Sequence, residues 1–164
     1  MQKLIEVTIT PEMLERAKNK AKDLGELKNS ITRGEGNLAG FIGEEVARAV
    51  TGGEIHNTRD YDLVYEDGRK ADVKTKRCSS EPQPHYDCSV ADFNTSQKCD
   101  EYVFVRVLND YSKGWVCGTM AKEDFYRKAT RWNQGQYDPR NRWRCKADCY
   151  SVPISQLDEV HKVI

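Results

Sequence analysis

The chain has no excess of charge of either sign. Among its 164 residues, 26 basic side chains meet 26 acidic ones. Coating nucleic acid by bulk attraction needs a net basic field, so that class of function is disfavoured. A local basic groove is not, because the charge is unevenly spread. Between positions 127 and 146, Arg127, Lys128, Arg131, Arg140, Arg142, Arg144 and Lys146 face a single acid, Asp138. Long apolar runs are also missing: none approaches the roughly 20 residues that span a bilayer. No membrane partner is therefore expected. No secretory signal opens the chain, so a cytoplasmic setting with reduced thiols is expected. Internal repeats and low-complexity tracts are lacking too. The six cysteines show no ligand-like spacing. Only Cys145 and Cys149 stand close together, and a metal set would have to borrow Cys78, Cys88 or Cys99 at spacings that fit no standard site. Free, buried or half-buried thiols are the expectation.

The chain does hold enough apolar sequence, at 38% against 32% charged, for one domain built on a single sheet. Leu4–Ile9 reads as a strand. Thr10-Pro11-Glu12 starts a helix expected to stop near Leu24, ahead of Gly25. Arg33–Asn37 reads as a glycine-rich linker. Leu38–Val50 reads as a second helix, with Leu38, Ile42, Val46, Ala49 and Val50 on one stripe. Gly40 and Gly43 are unusual there, each costing about 1 kcal/mol relative to alanine. They suit close packing against a sheet or close approach of a ligand. Further strands are expected over His85–Asp92, Glu101–Leu108, Gly114–Gly118 and Ala147–Ile154. Helical segments are expected over Asn94–Asp100, from Ala121 to about Trp132, and over Ser155–His161, with a polar loop at Gln134–Arg142.

The stretch from Asp62 to Lys74 carries the chemistry. It reads as a hairpin, Asp62-Leu63-Val64-Tyr65, then Glu66-Asp67-Gly68, then Arg69-Lys70-Ala71-Asp72-Val73-Lys74. A three-residue loop with Gly68 in the left-handed conformation would pair Tyr65 with Arg69, Leu63 with Ala71 and Asp62 with Asp72. Asp62, Asp72 and Lys74 then share one face. A two-residue turn at Asp67-Gly68 would pair Asp62 with Val73 and split the acids between faces. The first register sorts polar from apolar residues with less conflict. Adjacent carboxylates repel by roughly several kcal/mol unless a cation separates them or one is protonated. Two carboxylates suit a hard cation with oxygen ligands. Lys74 would orient a water or stabilise phosphate charge. The plainer alternative is a solvated strand face with a surface acid–lysine pair.

Gly43-Glu44-Glu45-Val46-Ala47, followed by Asp62 and by Asp72-Val73-Lys74, resembles the PD-(D/E)XK nuclease superfamily. The likeness covers Leu38 to about Leu108. It implies an α/β (α+β) fold of the restriction-endonuclease-like kind, with a central mixed β-sheet flanked by helices. Residues 38–108 would be the catalytic core of one domain spanning 1–164, and 1–36 an N-terminal strand–helix extension. The resemblance further implies Mg²⁺- or Mn²⁺-dependent hydrolysis of phosphodiester bonds, with DNA the expected nucleic acid. By position, Asp62 matches the first acid, Asp72 the second and Lys74 the lysine. The helix acid is Glu44 or Glu45, and the Gly-Glu-x-x-Ala pattern favours Glu44. Tyr61 stands where the family has proline. Gln97 stands five residues before Tyr102, one residue off the glutamine–tyrosine spacing of the recombination-type branch. The whole chain is also similar to small nuclease-like proteins of tailed phages, for which the setting would be the host cytoplasm.

The implied metal ligands are Asp62, Asp72, the Val73 carbonyl and Glu44. Lys76, on the face of Lys74, is expected to meet a neighbouring phosphate. Arg77, Lys98, Arg131, Arg142 and Arg144 are candidates for backbone contacts. Trp132 and Trp143 would either stack on unpaired bases or pack in the core. His85 is a candidate metal neighbour or an ordinary strand histidine. Resolvase-like action would call for a homodimer. Two rival readings are a catalytically silent module of the same fold that binds nucleic acid or protein, and a thiol–metal protein built on Cys145 and Cys149.

Overall fold

Thr10 caps the first helix. Its hydroxyl accepts a hydrogen bond from the Met13 backbone N–H at 3.2 Å, which satisfies one of the donors exposed at a helix start. The computed structural model describes residues 4–27, 35–56 and 58–160. In it, β1 (Ile5–Thr8) leads into α1 (Pro11–Leu27). The helix runs past Gly25, where a stop was expected. A helical glycine costs only about 1 kcal/mol, too little by itself to end a helix. Next, α2 (Glu35–Thr51) begins inside the expected linker, whose Arg33 and Gly34 lie outside the described residues. It ends as expected. Gly52 takes φ 72°, and its N–H bonds back to the Arg48 carbonyl at 2.8 Å, a left-handed cap.

The main sheet contains β2 (Glu54–Ile55), β3 (Leu63–Val64), β4 (Lys70–Cys78), β6 (Glu101–Leu108) and β7 (Lys113–Ala121), besides β1. Its order is β1-β7-β6-β4-β3-β2. The sheet is mixed: β4 and β6 run parallel, and the other pairs are antiparallel. One face is covered by α2, with α1 stacked beside it. Ile42, Val46, Ala47 and Val50 of α2 pack with Val103, Val105, Val107 and Val116 of the sheet. The stripe read from the sequence is therefore the core face, apart from Ala49. β6 is buried on both faces, as its unbroken apolar run requires.

The other face carries a second, three-stranded sheet. It comprises β5 (Asp87–Ala91), β8 (Thr130–Trp132) and β11 (Cys149–Pro153), in the order β5-β11-β8. Between these sheets Tyr102, Phe104, Cys88, Cys117, Met120, Phe125 and Val152 form a second core. Among the described residues, α3 (Lys122–Lys128) is the one α-helix here, and the two long helices lie on one face of the main sheet.

Several boundaries differ from expectation. The helix expected to reach Trp132 stops at Lys128, because Thr130–Trp132 pair with β11. Strand pairing outweighs local helical pattern where β-branched and aromatic residues meet a free edge. The expected loop at Gln134–Arg142 contains β9 (Tyr137–Asp138), which pairs with β10 (Trp143–Arg144). Asn94–Asp100 is not an α-helix; a 3₁₀ turn at Asp92–Asn94 takes in only its first residue. The closing turn is 3₁₀ at Ile154–Gln156, and His161 lies outside the described residues. His85 sits exposed in a turn, edge-on to Tyr86 at 4.9 Å between ring centroids, ahead of β5. No described helix is long and apolar enough to cross a membrane.

Candidate active site

The hairpin takes the three-residue loop. Leu63 pairs with Ala71 and Val64 with Lys70. The Tyr65 N–H bonds to the Arg69 carbonyl at 2.9 Å, and Gly68 adopts φ 90°. This register sets Asp62 beside Asp72, as the sorting of polar and apolar residues indicated.

Strand β3 is only two residues long. Its last backbone bond to β4 runs from the Asp62 N–H to the Ala71 carbonyl at 2.9 Å, and at Val73 a side chain takes the place of a strand neighbour. The Asp62 Oδ2 accepts the Val73 N–H at 2.9 Å. In an extended strand a residue's N–H and C=O point to the same edge, so the Val73 carbonyl faces Asp62 as well. The gap also brings α2 close. Gly43 packs on β4 so tightly that a Cβ there would stand 1.9 Å from Thr75 Oγ1. Glycine is required by that approach, and the next residue, Glu44, is carried to the open strand edge.

The carboxylates of Asp62, Asp72 and Glu44 act on one another. Asp62 is pushed up to about 8, first by burial, then by the charges of Asp72 and Glu44. Burial likewise raises Glu44, although Lys20 Nζ stands 2.9 Å from its Oε1. Glu45, equally buried, has a different task. Its Oε1 accepts from Arg16 and from Arg48, both at 2.7 Å. Of the two helix acids, Glu44 faces the cluster and Glu45 ties α1 to α2.

Lys74 Nζ lies 2.6 Å from Asp72 Oδ2 and donates to Gln97 Oε1 at 3.0 Å. Gln97 is buried. Its amide donates to the Arg59 carbonyl at 2.8 Å and approaches Asp72 Oδ1 at 3.4 Å. It thereby fixes both the lysine and the second acid. Its signal in the sequence is its distance from Tyr102, too weak on its own to place it in the site.

The remaining cationic candidates do not form one surface. Lys76 follows Lys74 on the same face, with its ammonium 5.6 Å from the centre of the Trp143 ring. Arg77 lies on the opposite face, beside Tyr111. Arg131 is held by Asp92 at 2.7 Å, by Asp148 at 3.5 Å and by the Tyr150 hydroxyl. Arg144 donates to the Gly135 carbonyl, while Lys98 and Arg142 are exposed. Trp132 and Trp143 pack edge-to-face on each other at 6.0 Å. The Cys145 and Cys149 thiols lie 3.5 Å apart and buried.

The donor set at the hairpin suits a hard divalent cation: two carboxylates and a carbonyl, all oxygen, with the two carboxylates close enough for each charge to act on the other. Among the described residues, no three histidine, cysteine, aspartate or glutamate side chains form a ready-made metal cage. Lys74 is the cation that stands on Asp72. No family model matches the chain, and no curated protein matches it in sequence.

Proposed function

We propose that the protein is a metal-dependent nuclease of the restriction-endonuclease-like kind, hydrolysing phosphodiester bonds in DNA. One observation carries this reading: half-buried Asp62 and buried Asp72 are neighbours across the hairpin, Lys74 stands 2.6 Å from Asp72, and the charge of Glu44 reaches the pair. Folding alone gains nothing from that arrangement, because burial and mutual repulsion both penalise it. A Mg²⁺ or Mn²⁺ ion held by Asp62, Asp72 and the Val73 carbonyl would supply Lewis acidity and a bound water of lowered pKa. The chain's own groups do the rest. Lys74, freed from Asp72, donates to the attacking water or to a non-bridging phosphate oxygen. Gln97 limits the directions in which Lys74 can point. Glu44 adds negative charge behind the pair and, with Lys20, sets how much positive charge the site accepts.

A second reading takes support from the 2.6 Å contact between Lys74 and Asp72, which leaves the site self-neutralised. In that case the protein binds nucleic acid or a protein partner through the same fold without cleaving it. Calorimetric titration with Mn²⁺ separates the two. The nuclease reading expects a saturable site in the wild type that Asp72→Asn removes. A silent module expects no carboxylate-dependent heat.

A further inference from the structure

Lys76 and Arg106 are direct partners across the parallel β4–β6 pair, so their side chains leave the same face side by side. Like charges so placed destabilise a sheet, and these two are also poorly served. Lys76 keeps a little accessible surface, but its charge centre is deeply buried. Among the described residues, its hydrogen-bond contact is with the Asp87 carbonyl at 3.5 Å. Arg106 donates to the same carbonyl at 2.7 Å and lies against the Tyr86 ring. The Asp87 carboxylate is engaged elsewhere, with Asn141 at 3.1 Å and Arg140 at 3.5 Å. Two half-buried cations thus share one neutral acceptor.

They line a cavity of about 240 Å³ between the main sheet and β5, bounded also by Lys74, Asn94, Phe104 and Cys88. The cavity is smaller than the roughly 300 Å³ at which sites for whole drug-sized ligands begin. It suits a phosphate with part of a sugar. Lys74 and Lys76 are two residues apart on one strand, about 6.6 Å, so the cavity opens from the proposed catalytic lysine.

Resting on the nuclease reading above, we propose that this cavity seats a terminal phosphate of the nucleic-acid strand, beside the bond to be cut. Charge balance distinguishes a terminal group from an internal one. An internal diester carries one negative charge and leaves one of the two cations without a matching charge on the ligand. A terminal monoester carries about −1.5 to −2 at neutral pH and matches both. Lys76 and Arg106 supply donors for its oxygens. The substrate class is then a strand end bearing a phosphate, and cutting proceeds from ends.

The test is binding rather than cleavage, so it stands whether or not the nuclease reading does. A fluorescent single-stranded dodecanucleotide is prepared with a 5′-phosphate, a 3′-phosphate or hydroxyls at both ends. Each is titrated with the full chain in EDTA. One phosphorylated form is expected to bind at least tenfold tighter than the hydroxyl form, and which one identifies the end recognised. Lys76→Met and Arg106→Met, each checked by thermal melting, are expected to bring that form down to the hydroxyl level. Lys76→Met alone decides the matter if the Arg106 variant does not fold. Equal affinity for all three strands overturns the proposal, as does a preference that survives Lys76→Met. Competition by inorganic phosphate alone, with no end preference among the strands, also overturns it in favour of a free-anion pocket.

Discussion

Asp62→Asn should stabilise the metal-free protein, by an amount that grows with pH. In the folded chain Asp62 is pushed up to about 8 from 3.8 for the free side chain, first by desolvation and then by the charges of Asp72 and Glu44. A carboxyl whose pKa rises on folding holds its proton more tightly in the folded state. Stability is therefore lost as pH climbs from about 4 to about 8, and the loss is complete above 8. A gap of about four units at about 1.4 kcal/mol each sets a ceiling near 6 kcal/mol. The charge is shared with Asp72 and water reaches the open edge, so about 2 kcal/mol is the expected effect. At about 2–4 °C per kcal/mol for a chain of this size, the variant should melt roughly 4–8 °C higher at pH 8.5. The amide oxygen introduced by the substitution can still accept the Val73 N–H, so that bond is kept. Thermal melts in EDTA at intervals from pH 4.5 to 9 give the answer. The difference between variant and wild type should be small at pH 4.5, grow through neutrality and level off above 8. A difference independent of pH, or a wild type that gains on the variant as pH rises, would refute the reasoning. The latter is how an ordinary ion-paired carboxylate behaves.

Other consequences follow from the packing around this pair. Glu44→Gln should lower metal-dependent cleavage at least tenfold with little change in melting temperature. Glu45→Gln should keep cleavage but lose about 1–3 kcal/mol, because Arg16 and Arg48 lose the negative charge they share. Chemical denaturation and a cleavage assay on both variants check the division of labour. Gly43→Ala should lose about 1–3 kcal/mol by overpacking against Thr75. Adding Thr75→Ala should return part of that loss, since it removes the Oγ1 and Cγ2 that a new Cβ would strike.

The hairpin was legible in the sequence because its constraints are local. The Glu66-Asp67-Gly68 loop fixes the register, and alternation then decides which residues share a face. The stripe on α2 was legible for the same reason. Its two glycines were recognisable as unusual, but only contact with Thr75 shows that Gly43 alone is required; a Cβ on Gly40 meets nothing. Glu44 and Glu45 are chemically identical neighbours, separated in role by Arg16, Lys20 and Arg48. Those partners lie far away in sequence or one helical turn on. The second sheet was hidden because Thr130–Trp132 carries a helix-like context and pairs only through β11. The cations were hardest to assign. The basic stretch 127–146 suggested one binding surface, yet Arg131 is neutralised by Asp92 and Asp148. The adjacent pair, Lys76 and Arg106, is 30 residues apart in sequence and meets only through the β4–β6 register.

Cleavage of end-labelled DNA tests the central claim most directly. Wild type, Asp72→Asn and Lys74→Ala are compared on single-stranded, duplex, nicked and four-way substrates, with Mg²⁺, with Mn²⁺ and in EDTA. The account predicts metal-dependent cutting of at least one substrate by the wild type. It predicts a loss of at least a hundredfold in each variant, with both variants still melting cooperatively. Cutting that persists in EDTA, or that survives in either folded variant, would contradict it, as would no cutting of any substrate by the wild type.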